Sequence, residues 1–315
     1  MRGRRPSESI SKHRTGEAVS CLLLLTYLGA VGGLQVPLTT ARPAISLQGF
    51  SLPRVTRGAG DQIDSTIDLG EALASTSDGK TMLVLGTFAA DFNMIEYCQR
   101  VRFFLPRLKE RGVDRVMVVI NGQPAACRKL ADIVDLPDSV EIFADPAGEA
   151  GRRFGVSRGW RPDDDLSANL KLFVVGIGLG PPWGTLPAVL TGYFGNPEGR
   201  RDWIEAALLQ GQLAGRWPSV LELSEDGITM ERNKFDDFPL LGGWGRRPLE
   251  LATLRLQNLV SIQFKNWDDL KPVEDRCLTQ LGGLTVVGPG GEPIYSWVDQ
   301  GLCDVPDFHG LLEAI

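Results

Sequence analysis

The chain has 315 residues, 43% of them apolar, and a net charge of −6. Residues 1–60 hold eight Lys/Arg against two Asp/Glu, so 61–315 carries 25 basic and 37 acidic residues, a net of −12. This supplies material for one large core. It argues against nucleic-acid binding, which draws on cations to neutralise phosphates.

The first sixty residues read as an address. Met1–Arg14 is basic and polar, and Ala18–Gly33 is apolar but only sixteen residues long. A bilayer span needs about 20 residues, so this fits a signal-peptide apolar region with cleavage after Gly33. Leu34–Gly60 has no acidic residue and carries Arg42, Arg54 and Arg57 among Ser and Thr, a transit-peptide composition. Signal plus transit segments resemble the two-part presequence of algae with secondary plastids. The expected domain plan is therefore a presequence over 1–60 and one domain over 61–315, with no membrane contact once the leader is removed. The alternatives are a secreted protein with a loose N-terminal linker and, behind it, an uncleaved membrane anchor.

In the mature body, Asp61–Gly79 reads as a leading helix and loop. Thr81–Gly86 (TMLVLG) and Arg115–Ile120 (RVMVVI) are short apolar runs expected as buried strands. A helix is expected between them from about Met94 to Leu105, with Pro106 ending or kinking it. Pro124–Val134 reads as a helix, Val140–Ala144 as a strand, and Asp145-Pro146 opens a helix to about Phe154. Strand–helix–strand order with β-branched strands predicts parallel pairing.

The segment from about Trp160 to Gln280 reads as an insertion. It holds LKLFVVGI, read as strand-like, a Gly/Pro-rich loop and a helix near Arg201–Leu213. A hairpin around Glu225-Asp226-Gly227 follows, then a helix near Pro248–Phe264, whose Leu249, Leu251, Leu254, Leu256 and Leu259 predict packing on the core. Leu284–Val287 and Pro293–Val298 flank Gly288-Pro289-Gly290-Gly291, the signature of a hairpin, and a short helix closes the chain near Asp307–Ala314. The predicted class is α/β: a thioredoxin-like mixed sheet flanked by helices, with a large insertion at about 160–280.

Three segments carry a family resemblance: VLGTFAADFNMIEYC, EIFADPAGEAGRRFGV and LTVVGPGGEPIYSWVDQG. They look like the strand and active-site loop, the D-P turn and helix, and the closing hairpin of AhpC/TSA peroxiredoxin-like proteins. GPPWGTLPAVLTGYFGN and RPLELATLRLQNLV resemble a plastid and cyanobacterial branch of the same family. The resemblance implies thiol-based oxidoreductase ancestry, no bound cofactor, and as partner either a small peroxide or another protein.

Such chemistry needs a thiolate near a helix start, where terminal N–H groups and cations lower its pKa. The family pattern is P-x-x-x-T-x-x-C. Laid on this chain, the Pro position is Ala89, the Thr position Asn93 and the Cys position Glu96. The arginine expected just before Gly282-Gly283 is replaced by Leu281. Asn93 and Glu96 read instead as a helix-capping pair, or Glu96 as a fixed negative charge at the thiolate position.

Cys98 is the substitute nucleophile to weigh. Two helical residues differ by about 200° around the axis, so it faces away from Glu96. Arg102, four residues on, is placed to assist its ionisation, and the competing reading is a packed core residue. Cys127 reads as structural, and Cys277 and Cys303 flank the closing hairpin with their pairing left open. Clustered metal ligands are lacking: the mature cysteines show no C-x-x-C and His309 is the one mature histidine. Asp163-Asp164-Asp165 reads as a solvated loop rather than a cation site, and Gly176, Gly178 and Gly180, followed by Pro181-Pro182, as a loop rather than a phosphate cradle.

The functional expectation is a peroxiredoxin-like thioredoxin-fold protein of the plastid that lacks the peroxidatic cysteine and serves as a binding or redox-related scaffold. The alternative is a one-cysteine thiol peroxidase using Cys98.

Overall fold

The computed structural model describes residues 47–57, 63–75, 79–176, 202–216, 221–225, 230–237 and 247–315. All lie within the compact unit Pro37–Ile315. The body reaches further toward the N-terminus than residue 61. β1 (Ser51–Val55) is an inner strand that pairs antiparallel with β2 (Ile63–Asp68) on one side and with the strand at Val140–Ala144 on the other. Only Leu52 and Val55 of β1 are buried, so its polar sequence, interrupted by Pro53, gave little strand signal. The leading helix expected over 61–79 is β2 followed by the short α1 (Leu69–Ala74), capped by the Asp68 side chain, which accepts from the Glu71 N–H at 2.8 Å.

The next elements follow the apolar runs: β3 (Lys80–Phe88), α2 (Phe92–Glu110), β4 (Val113–Asn121), α3 (Pro124–Val134), β5 (Val140–Ala144) and α4 (Glu149–Phe154). β3, β4 and β5 pair in parallel, as helical crossovers require. α2 does not stop at Pro106. The proline sits on the exposed side while Phe104, Leu105 and Leu108 are buried. Their burial offsets the backbone hydrogen bond the ring removes.

In the insertion, LKLFVVGI is not a strand: Ala168–Gly176 is a helix, α5. A short apolar run cannot by itself separate the two. The helix opens at Ser167, whose Oγ accepts from the Leu170 N–H at 3.4 Å, and Lys171 is buried with its Nζ donating to the Pro162 carbonyl at 3.0 Å. α6 (Asp202–Leu213) follows, then the hairpin of β6 (Leu221–Leu223) and β7 (Met230–Asn233), α7 (Arg247–Lys265) and the short α8 (Trp267–Leu270). Leu259 and Ile262 of α7 are buried in the main core. The side chains of Leu249, Leu251 and Leu254, and residues Gly178, Gly180 and Pro181-Pro182, lie outside the described residues; Gly176 ends α5.

β8 (Gly283–Val287) and β9 (Pro293–Val298) form the closing hairpin, and α9 (Phe308–Ala314) ends the chain. β8 lies antiparallel to β3, giving a seven-stranded mixed sheet in the order β2-β1-β5-β4-β3-β8-β9. Side-chain alternation splits the core into two layers. Met82, Val84, Val116 and Val118 pack under α2, α3, α7 and α9, while Leu83, Leu85, Met117 and Val119 pack under α1 and α4. This is a thioredoxin-like α/β arrangement with inserted helices. Among the described residues no helix is long and apolar enough to cross a membrane.

Candidate functional site

The site forms where β3 ends and α2 begins. Ala89 and Ala90 are fully buried, and Asp91 is the N-cap residue, its carbonyl accepting from the Ile95 N–H at 3.0 Å. Gly86 lets the helix start lie close to the sheet, since a Cβ there would sit 2.1 Å from the Met94 sulfur and 2.7 Å from the Val119 carbonyl.

The expected Asn93–Glu96 capping pair is corrected by this start. The helix begins two residues earlier than the sequence suggested, because Asp91 takes the extended backbone of an N-cap residue and its carbonyl opens the hydrogen-bond ladder. Asn93 is therefore inside the helix and points elsewhere. Its Nδ2 donates to Asp299 Oδ2 at 2.8 Å and to the Gly301 carbonyl at 3.2 Å, and its Oδ1 accepts from the Cys303 N–H at 2.5 Å. Tyr97 OH donates to the other Asp299 oxygen at 2.6 Å. Cys303 itself has a left-handed backbone, φ 68°.

Glu96 lies on the next part of the first turns and is 1% exposed. Its two carboxylate oxygens are taken by two guanidiniums, Arg100 from one turn along α2 and Arg255 from α7. Arg100 is 8% and Arg255 4% exposed. The Trp203 ring of α6 packs against both, 4.4 Å from the Arg100 Cζ and 4.8 Å from the Arg255 Cζ, within cation–π range. Arg100 also donates to the Pro306 carbonyl, tying in the C-terminal segment. Burial opposes ionisation of Glu96, but Arg255 and Arg100 outweigh it and hold the carboxyl below its ordinary range.

The neighbouring acids behave oppositely. Burial pushes Asp91 up to about 7 against the Thr87 hydroxyl and the Phe92 and Asn93 amides. Burial raises Asp299 far above the carboxylate range, and the charges of Asp304 and Asp91 add to it, despite the hydrogen bonds from Tyr97 and Asn93.

Cys98 is fully buried in the main core, and burial pushes its thiol up to about 12 against the weak pull of Arg57. Arg102 does not serve it: the Arg102 guanidinium donates to the Val134 carbonyl at 2.9 Å. Cys127 is buried near the Ile120 and Gly122 carbonyls, and Cys277, buried beside the Pro146 carbonyl, is pushed up to about 11. None of Cys98, Cys127, Cys277 and Cys303 is joined in a disulfide. Leu281, at the expected arginine position, is buried, so cationic charge reaches the site from Arg100 and Arg255 instead. In the acidic triplet, Asp163 pairs with Arg158 and Asp164 with Arg161. Among the described residues no group of three metal-ligating side chains forms.

Sequence reasoning picked out Asn93 and Glu96 but missed their partners. The i, i+4 spacing of Glu96 and Arg100 was readable as an ion pair. Arg255, Trp203 and Asp299 are brought in by tertiary structure alone.

Chemically, a carboxylate held by two arginines is a poor acid, a poor base and no nucleophile toward peroxide, whereas a thiolate there would have been activated. No curated protein and no solved structure matches the chain. A family model described as AhpC/TSA antioxidant enzyme matches residues 101–301, beginning just beyond Glu96 and Cys98 and spanning the insertion, Arg255 and Asp299. That covers more than half of the chain, and with the thioredoxin-like sheet it places the protein: the chain belongs to the AhpC/TSA antioxidant enzyme family, as a peroxiredoxin-like protein of thioredoxin fold.

Proposed function

We propose that this protein is a redox-silent member of its family, a thioredoxin-fold scaffold that binds a protein partner rather than reducing peroxide. One observation carries the reading. At the helix-start position where the family pattern asks for cysteine stands Glu96, buried and ion-paired to Arg100 and Arg255. The nearest thiol in sequence, Cys98, is fully buried and holds its proton far above neutral pH, which disfavours nucleophilic attack. The test is to titrate reduced full-length protein with hydrogen peroxide and map sulfenic acid by mass spectrometry. The scaffold reading predicts no site reacting faster than free cysteine. Fast, stoichiometric oxidation at Cys98 would establish the one-cysteine peroxidase instead.

We further propose that the scaffold works in a plastid, in the branch shared by plastids and cyanobacteria. The basic start, short apolar run and acid-free stretch before residue 47 support import through a two-part presequence. A fluorescent protein fused behind residues 1–46 and expressed in an alga with a secondary plastid should accumulate in that organelle. Secretion of the fusion would favour the secreted alternative.

A further inference from the structure

We propose that the insertion is a built-in plug: α6 and α7 occupy the face of α2 at which a substrate would meet the helix start, with Trp203 and Arg255 as the contact residues. The inference deepens the redox-silent reading of the same site and rests on it.

Three contacts converge on the first turns of α2 from the insertion. Arg255 of α7 pairs with one oxygen of Glu96. Trp203 of α6 packs against Arg255 and against Arg100, which holds the other oxygen. Two turns further along α7, Gln263 Nε2 donates to the Ala90 carbonyl at 3.0 Å, in the loop that leads into α2. Leu259 and Ile262, on the same helix, are buried in the core beside these polar contacts. Glu96 and Arg100 stand one above the other on α2, and both are closed off from water. The surroundings of position 96 are thus protein atoms, from Arg100 of α2 itself and from the insertion, and the insertion is held on α2 independently of Glu96 by Trp203 on Arg100, by Gln263 on Ala90 and by the buried Leu259 and Ile262.

This arrangement separates two reasons for inactivity. One is the missing sulfur. The other is closure, which would persist if the sulfur were restored. A thiol at position 96, beside two guanidiniums in the first turns of a helix, would ionise readily, yet a reagent would still have to wait for the insertion to lift.

The experiment uses the full-length chain carrying Cys303→Ser, which removes the one half-exposed described thiol. Into it are placed Glu96→Cys alone and Glu96→Cys with Trp203→Ala. Native-state labelling with iodoacetamide is timed at position 96. The plug predicts slow labelling in the first variant and labelling faster by about tenfold or more in the second, as local opening becomes easier. Labelling of the first variant at the rate of free cysteine would overturn it.

Hydrogen exchange supplies a readout that does not depend on Glu96→Cys folding. The amides of Phe92, Asn93 and Met94 precede Ile95, the first N–H that donates within the helix, so their exchange reports opening of the helix start to water. In Trp203→Ala they should speed up together with those of α6. Loosening of α6 with no change at 92–94 would equally overturn the plug. Peroxide oxidation of Cys98 in the unmodified chain would remove the redox-silent reading by a separate route, so the two failures are distinguishable.

Discussion

Glu96→Gln is the substitution with the largest effect expected from the site. The side chain keeps its shape, so no cavity is made and the change isolates the charge. What remains is a pair of buried guanidiniums, Arg100 and Arg255, with their shared carboxylate gone. Removing one partner of a buried ion pair typically costs about 3–5 kcal/mol, because the other charge stays desolvated. Melting temperature should fall by roughly 2–4 °C for each kcal/mol in a body of this size. The assay is urea or thermal unfolding of wild type and variant at pH 7, repeated in 1 M salt, where exposed pairs are screened but buried ones much less so. Since the folded-state pKa of Glu96 is depressed, its stabilising contribution is present above the unfolded value of about 4.3 and is lost as pH falls through the lower folded value. The difference between wild type and variant should therefore shrink only in strong acid. A difference below about 1 kcal/mol at pH 7, or one abolished by salt, is the behaviour of a surface pair and would refute the reasoning.

Asp91 has the opposite sign. Its folded pKa of about 7 lies above the unfolded value of about 3.9, so its contribution to stability falls as pH rises between the two and is constant beyond. Asp91→Asn should flatten that slope and add about 2–4 kcal/mol near pH 8, by unfolding titrations at several pH values; an unchanged slope would place the proton elsewhere. Asn93→Ala takes one donor from Asp299 and leaves the Cys303 N–H without its acceptor. It should cost about 1–3 kcal/mol and raise hydrogen exchange at residues 299–303; a loss confined to the helix start would instead indicate a capping role. Pro106→Ala restores a missing helical hydrogen bond on an exposed side. It should stabilise by about 1–3 kcal/mol in thermal unfolding, and a neutral result would show that α2 already compensates for the ring.

The core of this fold was readable because its strands are short, apolar and rich in β-branched residues. Val140–Ala144 and Pro124–Val134 coincide with the expected strand and helix. Recognition failed where burial was supplied by neighbours. β1 buries only Leu52 and Val55 and owes its existence to pairing with β2 and β5. Ala168–Gly176 carries the apolar run of a strand but is a helix, its Lys171 bonded back to Pro162. At the site, the departure from the cysteine pattern at Ala89, Asn93 and Glu96 was visible residue by residue. The partners were not, since Arg255 lies 159 positions beyond Glu96 and no local pattern joins them. Asn93 illustrates the same limit: local logic assigned it to the helix cap, whereas a bond to Asp299, 206 positions away, decides its orientation.

The absence of an activated thiol is most directly tested by following thiolate absorbance at 240 nm against pH in full-length wild type and Cys98→Ser. With the Cys98 thiol held near 12, the two curves should overlay up to about pH 9, where ordinary thiols ionise. A one-thiolate step below pH 7 in wild type that the variant lacks would show an ionised Cys98 and contradict the scaffold reading.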